Sequence, residues 1–176
     1  VVARPTAAEY ESGTYVDGYL IQLIDAEDAI RVLREQTDRL LAAEKIWTDE
    51  QLDHRYAPGK WSVRQMLGHL IDTERIFAYR ALAIARGETQ SLPGFDENAY
   101  QDAATFDQQS KETLFRHYEL VRKSNLWLFE TFNEAVLDRQ GIANGRKISV
   151  RTLIWLLAGH ERHHFNVLHE RYQLPV

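Results

Sequence analysis

The stretch "SVRQMLGHLIDTERIFAYRALAIARG", Ser62 to Gly87, carries its own start and stop signals. Ser62 followed by Gln65 is a capping box, in which the serine hydroxyl accepts from a first-turn N–H and the glutamine amide reaches back to the cap. Gly87 offers the left-handed residue that closes a helix. Together they predict one helix from Ser62 to about Arg86. Three further segments repeat the helical period. Ala26 to Glu44 places Ile30, Val32, Leu33, Leu40 and Leu41 among charges, the next runs from about Asp107 to Phe132, and the last from Ser149 to about Tyr172. Pro175 lies beyond that end, as a residue that cannot continue a helix should. Nothing alternates cleanly at period two. Amphipathic helices of this length, ~30 Å each, bury their apolar faces against one another, so the reading is all-α: a four-helix bundle. One domain is expected over 1–176, with its core at about 26–172. Gly87 to Phe106 makes a long link between the second and third helices, of the kind that holds functional residues or short helices. Pro58-Gly59 and Pro93-Gly94 mark turns, and "RQGIANGRK", Arg139 to Lys147, reads as a turn or small hairpin.

The 176 residues are 44% hydrophobic, enough for a core without staples. Twenty-one basic and 26 acidic residues leave a net charge of −5. There is no basic block, so neither nucleic acid nor an anionic membrane is an expected partner. With no cysteine, disulfides, zinc–thiolate sites and a cysteine nucleophile are excluded. No apolar run approaches a membrane span, and no signal peptide is visible before Tyr15, so a cytoplasmic protein is expected.

The seven histidines are unevenly placed, with four between Gly159 and Tyr172. His160 and His164 are i, i+4, about 40° apart on one helix face. They continue the apolar stripe of Leu153, Leu156 and Leu157 and so point inward. Two imidazoles so placed can converge on one ion, as in an HExxH zinc helix. His163 lies about 60° to the other side of His160, and spacing leaves both partners open. A histidine pair that is simply buried and hydrogen-bonded is the plain alternative. Glu161 sits about 100° off the face of His160, where nothing indicates a general base. His69, in "GHLIDTE", lies on the edge of the second helix's apolar face, beside Met66 and Thr73. A buried histidine is costly unless satisfied. A shared metal would satisfy all three rings, and three protein ligands with one open position is the pattern of a catalytic metal. A structural metal would need a fourth ligand, for which Asp72, Glu161 and His163 are nearest in sequence. His54 and His117 read as surface or turn histidines.

"APGKWSVRQMLGHLIDTERIFAYRALAIARG" (Ala57–Gly87), "LPGFDENAY" (Leu92–Tyr100) and "SVRTLIWLLAGHERHHFNVLHERY" (Ser149–Tyr172) resemble, in order and spacing, the DinB-like family, which includes the YfiT-type metal hydrolases. The resemblance covers about Glu44 to Tyr172. It implies an up-down-down-up bundle, often a homodimer, with a divalent metal, zinc or nickel, held by His69, His160 and His164. It thus selects His164 over His163. Relatives in the family include thiol S-transferases that use bacillithiol or mycothiol, and a mycothiol-dependent maleylpyruvate isomerase. The resemblance therefore implies a small-molecule substrate and an external thiol cosubstrate, whose sulfur a metal would convert to a thiolate. Metal-dependent hydrolysis is the alternative, and a non-catalytic, stress-related metal- or ligand-binding bundle is another. Asp72 and Glu74 are candidates to orient a ligand imidazole, or else to pair with Arg75 or Arg80. Phe95, Asp96, Asn98 and Tyr100 are candidates for a pocket rim. Arg80, Arg86 and Arg162 are candidate anchors for an acidic substrate or thiol. Trp61 reads as a packing anchor, and Trp127, Trp155, Phe129 and Phe132 as core or dimer contacts. No residue is assigned a catalytic role.

Overall fold

The computed structural model describes residues 1–176. Eight helices form: α1 (Tyr15–Leu20), α2 (Ala29–Glu44), α3 (Asp49–Asp53), α4 (Val63–Ala85), α5 (Glu97–Ala103), α6 (Lys111–Glu130), α7 (Glu134–Leu137) and α8 (Val150–Tyr172). A two-stranded hairpin, β1 (Gln140–Ala143) and β2 (Arg146–Ser149), precedes α8. Every helix starts on a Ser, Thr, Asp or Asn whose side chain accepts from the first turn, which satisfies N–H groups that would otherwise lack a partner. The Ser62 capping box is present in both directions. Gly87 (φ 90°) ends α4, and the Glu88 N–H returns to the Ala83 carbonyl. No helix is long and apolar enough to cross a membrane.

The four long helices are α2, α4, α6 and α8, and cross-helix pairs fix their directions. Trp61 and His69 meet Tyr172 and His160, so α4 and α8 are antiparallel. Arg64 reaches Gln109 while Arg122 reaches Glu74, so α4 and α6 run together. Gln36 bonds Ala158 and Trp47 bonds Pro175, so α2 runs with α8. The order is up-down-down-up. Helices consecutive in the bundle, α2 with α4 and α6 with α8, stand on diagonals.

The core is split along the bundle axis. One apolar cluster includes Leu33, Phe77, Ala81, Phe129 and Leu156; the other includes Leu40, Leu67, Leu70, Phe115 and Phe165. Between them lies a buried polar layer. Arg122 donates through Nε and Nη2 to Glu74, through Nη2 also to Glu161, and through Nη1 to the Leu33 carbonyl and the Thr37 hydroxyl. Tyr118 donates to Glu161 at 2.5 Å. Burial pushes the Glu161 carboxyl up and Arg122 holds it down, with burial prevailing.

Three features add to the four long helices, one of them the hairpin expected within Arg139 to Lys147. Residues before 26 join the core: Val2, Val16, Leu20 and Leu23 are buried, and Trp155 donates to the Val2 and Ala3 carbonyls. The hairpin turns on Asn144 and Gly145, both at positive φ (53° and 71°), as an Asn-Gly turn requires. The long link docks against this hairpin, because Leu92 exchanges backbone hydrogen bonds with Ile142 and Asn144. Among the aromatic residues, Trp155, Phe129 and Phe132 are core, whereas Trp127 is 75% exposed.

Candidate metal centre

His69 is on α4, and His160 and His164 are one turn apart on the facing α8. All three are buried. His69 Nε2 lies 2.9 Å from His160 Nε2, and His164 Nε2 lies 3.1 Å from it. Two imidazole nitrogens on one tetrahedral zinc stand about 3.3 Å apart, from metal–nitrogen bonds of about 2.0–2.1 Å. Burial pushes His69 down to about 4 and holds His160 and His164 well below the ordinary histidine value, with neighbouring rings adding to it. The rings are therefore neutral near pH 7. A neutral ring has one proton or one lone pair at Nε2. His160 thus satisfies one of its two contacts well, and a cation between the rings would satisfy all three. Neutral imidazoles without a carboxylate form a donor set suited to a divalent transition metal.

The local sequence sets this up. His69 and His160 each follow a glycine, and both glycines are places of close approach. A Cβ on Gly68 would fall 2.2 Å from the Phe106 ring, and one on Gly159 would fall 2.3 Å from the Tyr19 carbonyl oxygen. Gly159 lets α1 lie on α8, and Tyr19 then packs edge-on against His160 (5.3 Å) and His163 (5.8 Å). Trp61 packs on His69 at 4.9 Å.

The histidines form one wall of a cavity of about 380 Å³. Thr73, Phe77 and Arg80 continue the α4 wall, Tyr15 and Tyr19 come from α1, Phe95 and Glu97 from the long link and α5, and Asn144 from the hairpin. His163 is part-exposed and lines this cavity, while the ring nitrogens that converge belong to His69, His160 and His164.

Several candidate residues stand elsewhere. Glu74 is buried against Arg122 and Asn125, not against a histidine or its near neighbours Arg75 and Arg80. Asp72 is half-buried, and its charged neighbours are His117 and Arg75. Neither carboxylate hydrogen-bonds a ring of the triad, and His164 Nδ1 is buried without a partner. Arg162 lies along a groove with Gln22, Asp25 and Glu35. Arg86 stacks over Phe132. Tyr100 is exposed and lies beside the cavity, with its ring 5.2 Å from that of Phe95, in a neighbouring groove it shares with Arg80. Asp96 caps α5. His54 is exposed and meets Tyr172, and His117 meets Arg75.

Sequence reasoning missed Tyr15, Tyr19, Thr73, Glu97 and Asn144. "TYVD", Thr14 to Asp17, held a usable signal, since it is a capping box and opens the helix that carries both tyrosines. Asn144-Gly145 lies in the stretch read as a turn or small hairpin, but local sequence does not show that this turn sets the cavity edge.

The DinB superfamily profile matches residues 32–168. A protein of Oceanobacillus iheyensis named "Putative metal-dependent hydrolase" is 25% identical over 146 residues, 82% of this chain and 83% of its own. Bacillus subtilis YfiT, similarly named, is 32% identical over 93 residues, 53% of this chain and 52% of its own. A solved structure of YfiT, described as "a probable metal-dependent hydrolase with an unusual four-helix bundle topology", matches with a TM-score of 0.74 at 22% identity, covering 96% of this chain and 97% of that one. That likeness extends the agreement in fold over nearly the whole length. With the matched profile spanning most of the bundle, the chain belongs to the DinB superfamily.

Proposed function

We propose that the protein is a metal-dependent enzyme in which His69, His160 and His164 hold one divalent ion, zinc or nickel, through their Nε2 atoms. The observation that carries this reading is the convergence of three neutral, buried imidazoles at the wall of a cavity. An ion so held would lower the pKa of water or a thiol and polarise an acceptor. The chain keeps the rings neutral by burial, walls the space with aromatic groups, and leaves the Thr73 hydroxyl unpaired inside it. No fourth protein ligand closes the set: Glu161 is held by Tyr118 and Arg122, and Asp72 faces His117 and Arg75. That favours a reactive ion over a structural one.

The names of the relatives support hydrolysis, with water as nucleophile. A thiol is the second nucleophile such an ion could activate. The buried carboxylates Glu74 and Glu161 are engaged by Arg122, so the carboxylate left to act as a base in the cavity is Glu97, and the ion itself can acidify water or a thiol. With no cysteine in the chain, that thiol would come from outside. The zinc-loaded protein and His160→Ala separate the two. Release of p-nitrophenol from its acetate ester, lost in the variant, supports hydrolysis. Metal-dependent alkylation of a low-molecular-weight thiol by a bimane electrophile supports thiol transfer. Absence of both overturns the enzyme reading.

A further inference from the structure

Four arginines are strongly buried, and three are neutralised. Arg64 pairs with Asp49 and Asp53, Arg122 with Glu74 and Glu161, and Arg151 with Glu9, Glu134 and Asp138. Arg80 is the fourth, only 4% exposed, and it is the one that lines the cavity of the histidines. Its single hydrogen bond runs from Nη2 to the Pro93 carbonyl, at 2.6 Å. Nε and Nη1 have no acceptor in the chain, and no carboxylate stands within ion-pair distance. Glu97, on the same cavity, is exposed and does not pair with it. Burial works against its charge, and the titratable groups that act on Arg80 are only the hydroxyls of Tyr15 and Tyr100, neither of them a carboxylate. Guanidinium nonetheless stays protonated in proteins. A buried cation without a counterion is costly, and a chain that pairs every other buried arginine leaves this one for a ligand.

We infer that Arg80 receives an oxyanion, a carboxylate or a phosphate, at one end of a small substrate whose reacting end meets the histidines. This rests on the metal-site reading above for the reacting end only. His69, Thr73, Phe77 and Arg80 share one face of α4 at spacings of four, four and three. Arg80 Cζ is 5.6 Å from the Phe77 ring centre, which is 6.1 Å from that of His160, so the cation and the triad border one continuous space. Between them the Thr73 hydroxyl is 1% exposed and without a partner, a polar contact for the middle of the molecule. The other walls, Tyr15, Tyr19 and Phe95, suit a flat or apolar body. A guanidinium fork matches the two oxygens of a carboxylate or phosphate.

The test is calorimetric titration of the zinc-loaded protein with the monohydroxamates of adipic and suberic acid, with their methyl esters, and with analogues ending in phosphonate. The hydroxamate end probes the metal and the far end probes Arg80. One oxyanion should bind about tenfold or more tightly than the ester of the same length. Arg80→Gln should bring that ratio near one, and Arg80→Lys should retain part of it, with circular dichroism confirming the fold. Esters that bind as tightly as both oxyanions, a ratio that survives Arg80→Gln, or no binding by any compound would overturn the inference. Should the chain take up no zinc, the metal reading falls. The ratio measured on the metal-free chain then decides the oxyanion site alone.

Discussion

At the scale of residues, the histidines matter through what burial does to them. His69 is held at about 4, against an ordinary 6.5, by desolvation. The unfolded chain binds a proton there near pH 6.5, while the folded chain resists until about pH 4. Stability of the metal-free protein is therefore full above about pH 6.5 and falls as pH drops towards 4. For His69 alone the difference is about 3 kcal/mol, and the downward shifts of His160 and His164 act in the same direction. Urea unfolding of chelated protein at pH 7.5 and pH 5 measures this, and equal stability at the two would contradict it. Because burial keeps the rings neutral where free imidazoles are mostly charged, zinc binding near pH 5.5 should release almost no protons from them, which calorimetry in buffers of different ionisation enthalpy reads directly. Release of two or three protons would contradict the buried, neutral triad.

At the scale of elements, α4 and α8 hold the histidines, α6 ties them together, and α1 covers them. Arg122→Met leaves Glu74 and Glu161 buried without their cation and should cost about 3–5 kcal/mol in urea unfolding, whereas a loss below 1 kcal/mol would mean that the polar layer is relaxed or hydrated. Gly159→Ala places a methyl against the Tyr19 backbone and should push α1 off α8 at a cost of about 1–3 kcal/mol. Since α1 holds no ligand, the variant should still bind one zinc, and its loss would show that α1 sets the triad. The sequence made α4 and α8 legible because each announces its ends, with Ser62, Gln65 and Gly87 for one and Ser149 and Pro175 for the other. Starts were less clear elsewhere. Asp28, which caps both α2 and the Val2 N–H, sets the start of α2 at Ala29 rather than Ala26, and Ser110 sets that of α6 at Lys111 rather than near Asp107. The triad could be read because its members continue apolar stripes at helical spacing. The partner of Glu74 is Arg122, 48 residues away, which local sequence, showing only Arg75 and Arg80, does not reveal.

At the scale of the whole molecule, the up-down-down-up order brings the second and last long helices face to face, and so puts residues 91 apart in sequence within one site. The N-terminal segment, the hairpin and the long link then enclose the space beside it. The two apolar clusters bury 26 and 18 hydrophobic residues, a core large enough to hold the bundle without a metal. Chelation should lower the melting temperature yet leave a helical chain that unfolds cooperatively, as followed by circular dichroism. Loss of helix on chelation would mean a structural metal.

Elemental analysis of protein purified without a nickel column tests the central claim most directly, made on the parent, His69→Ala, His164→Ala and His163→Ala. The account predicts about one zinc or nickel per chain in the parent and in His163→Ala, and none in the other two. A parent without metal that also takes up none on titration, or full occupancy in His164→Ala, would contradict it.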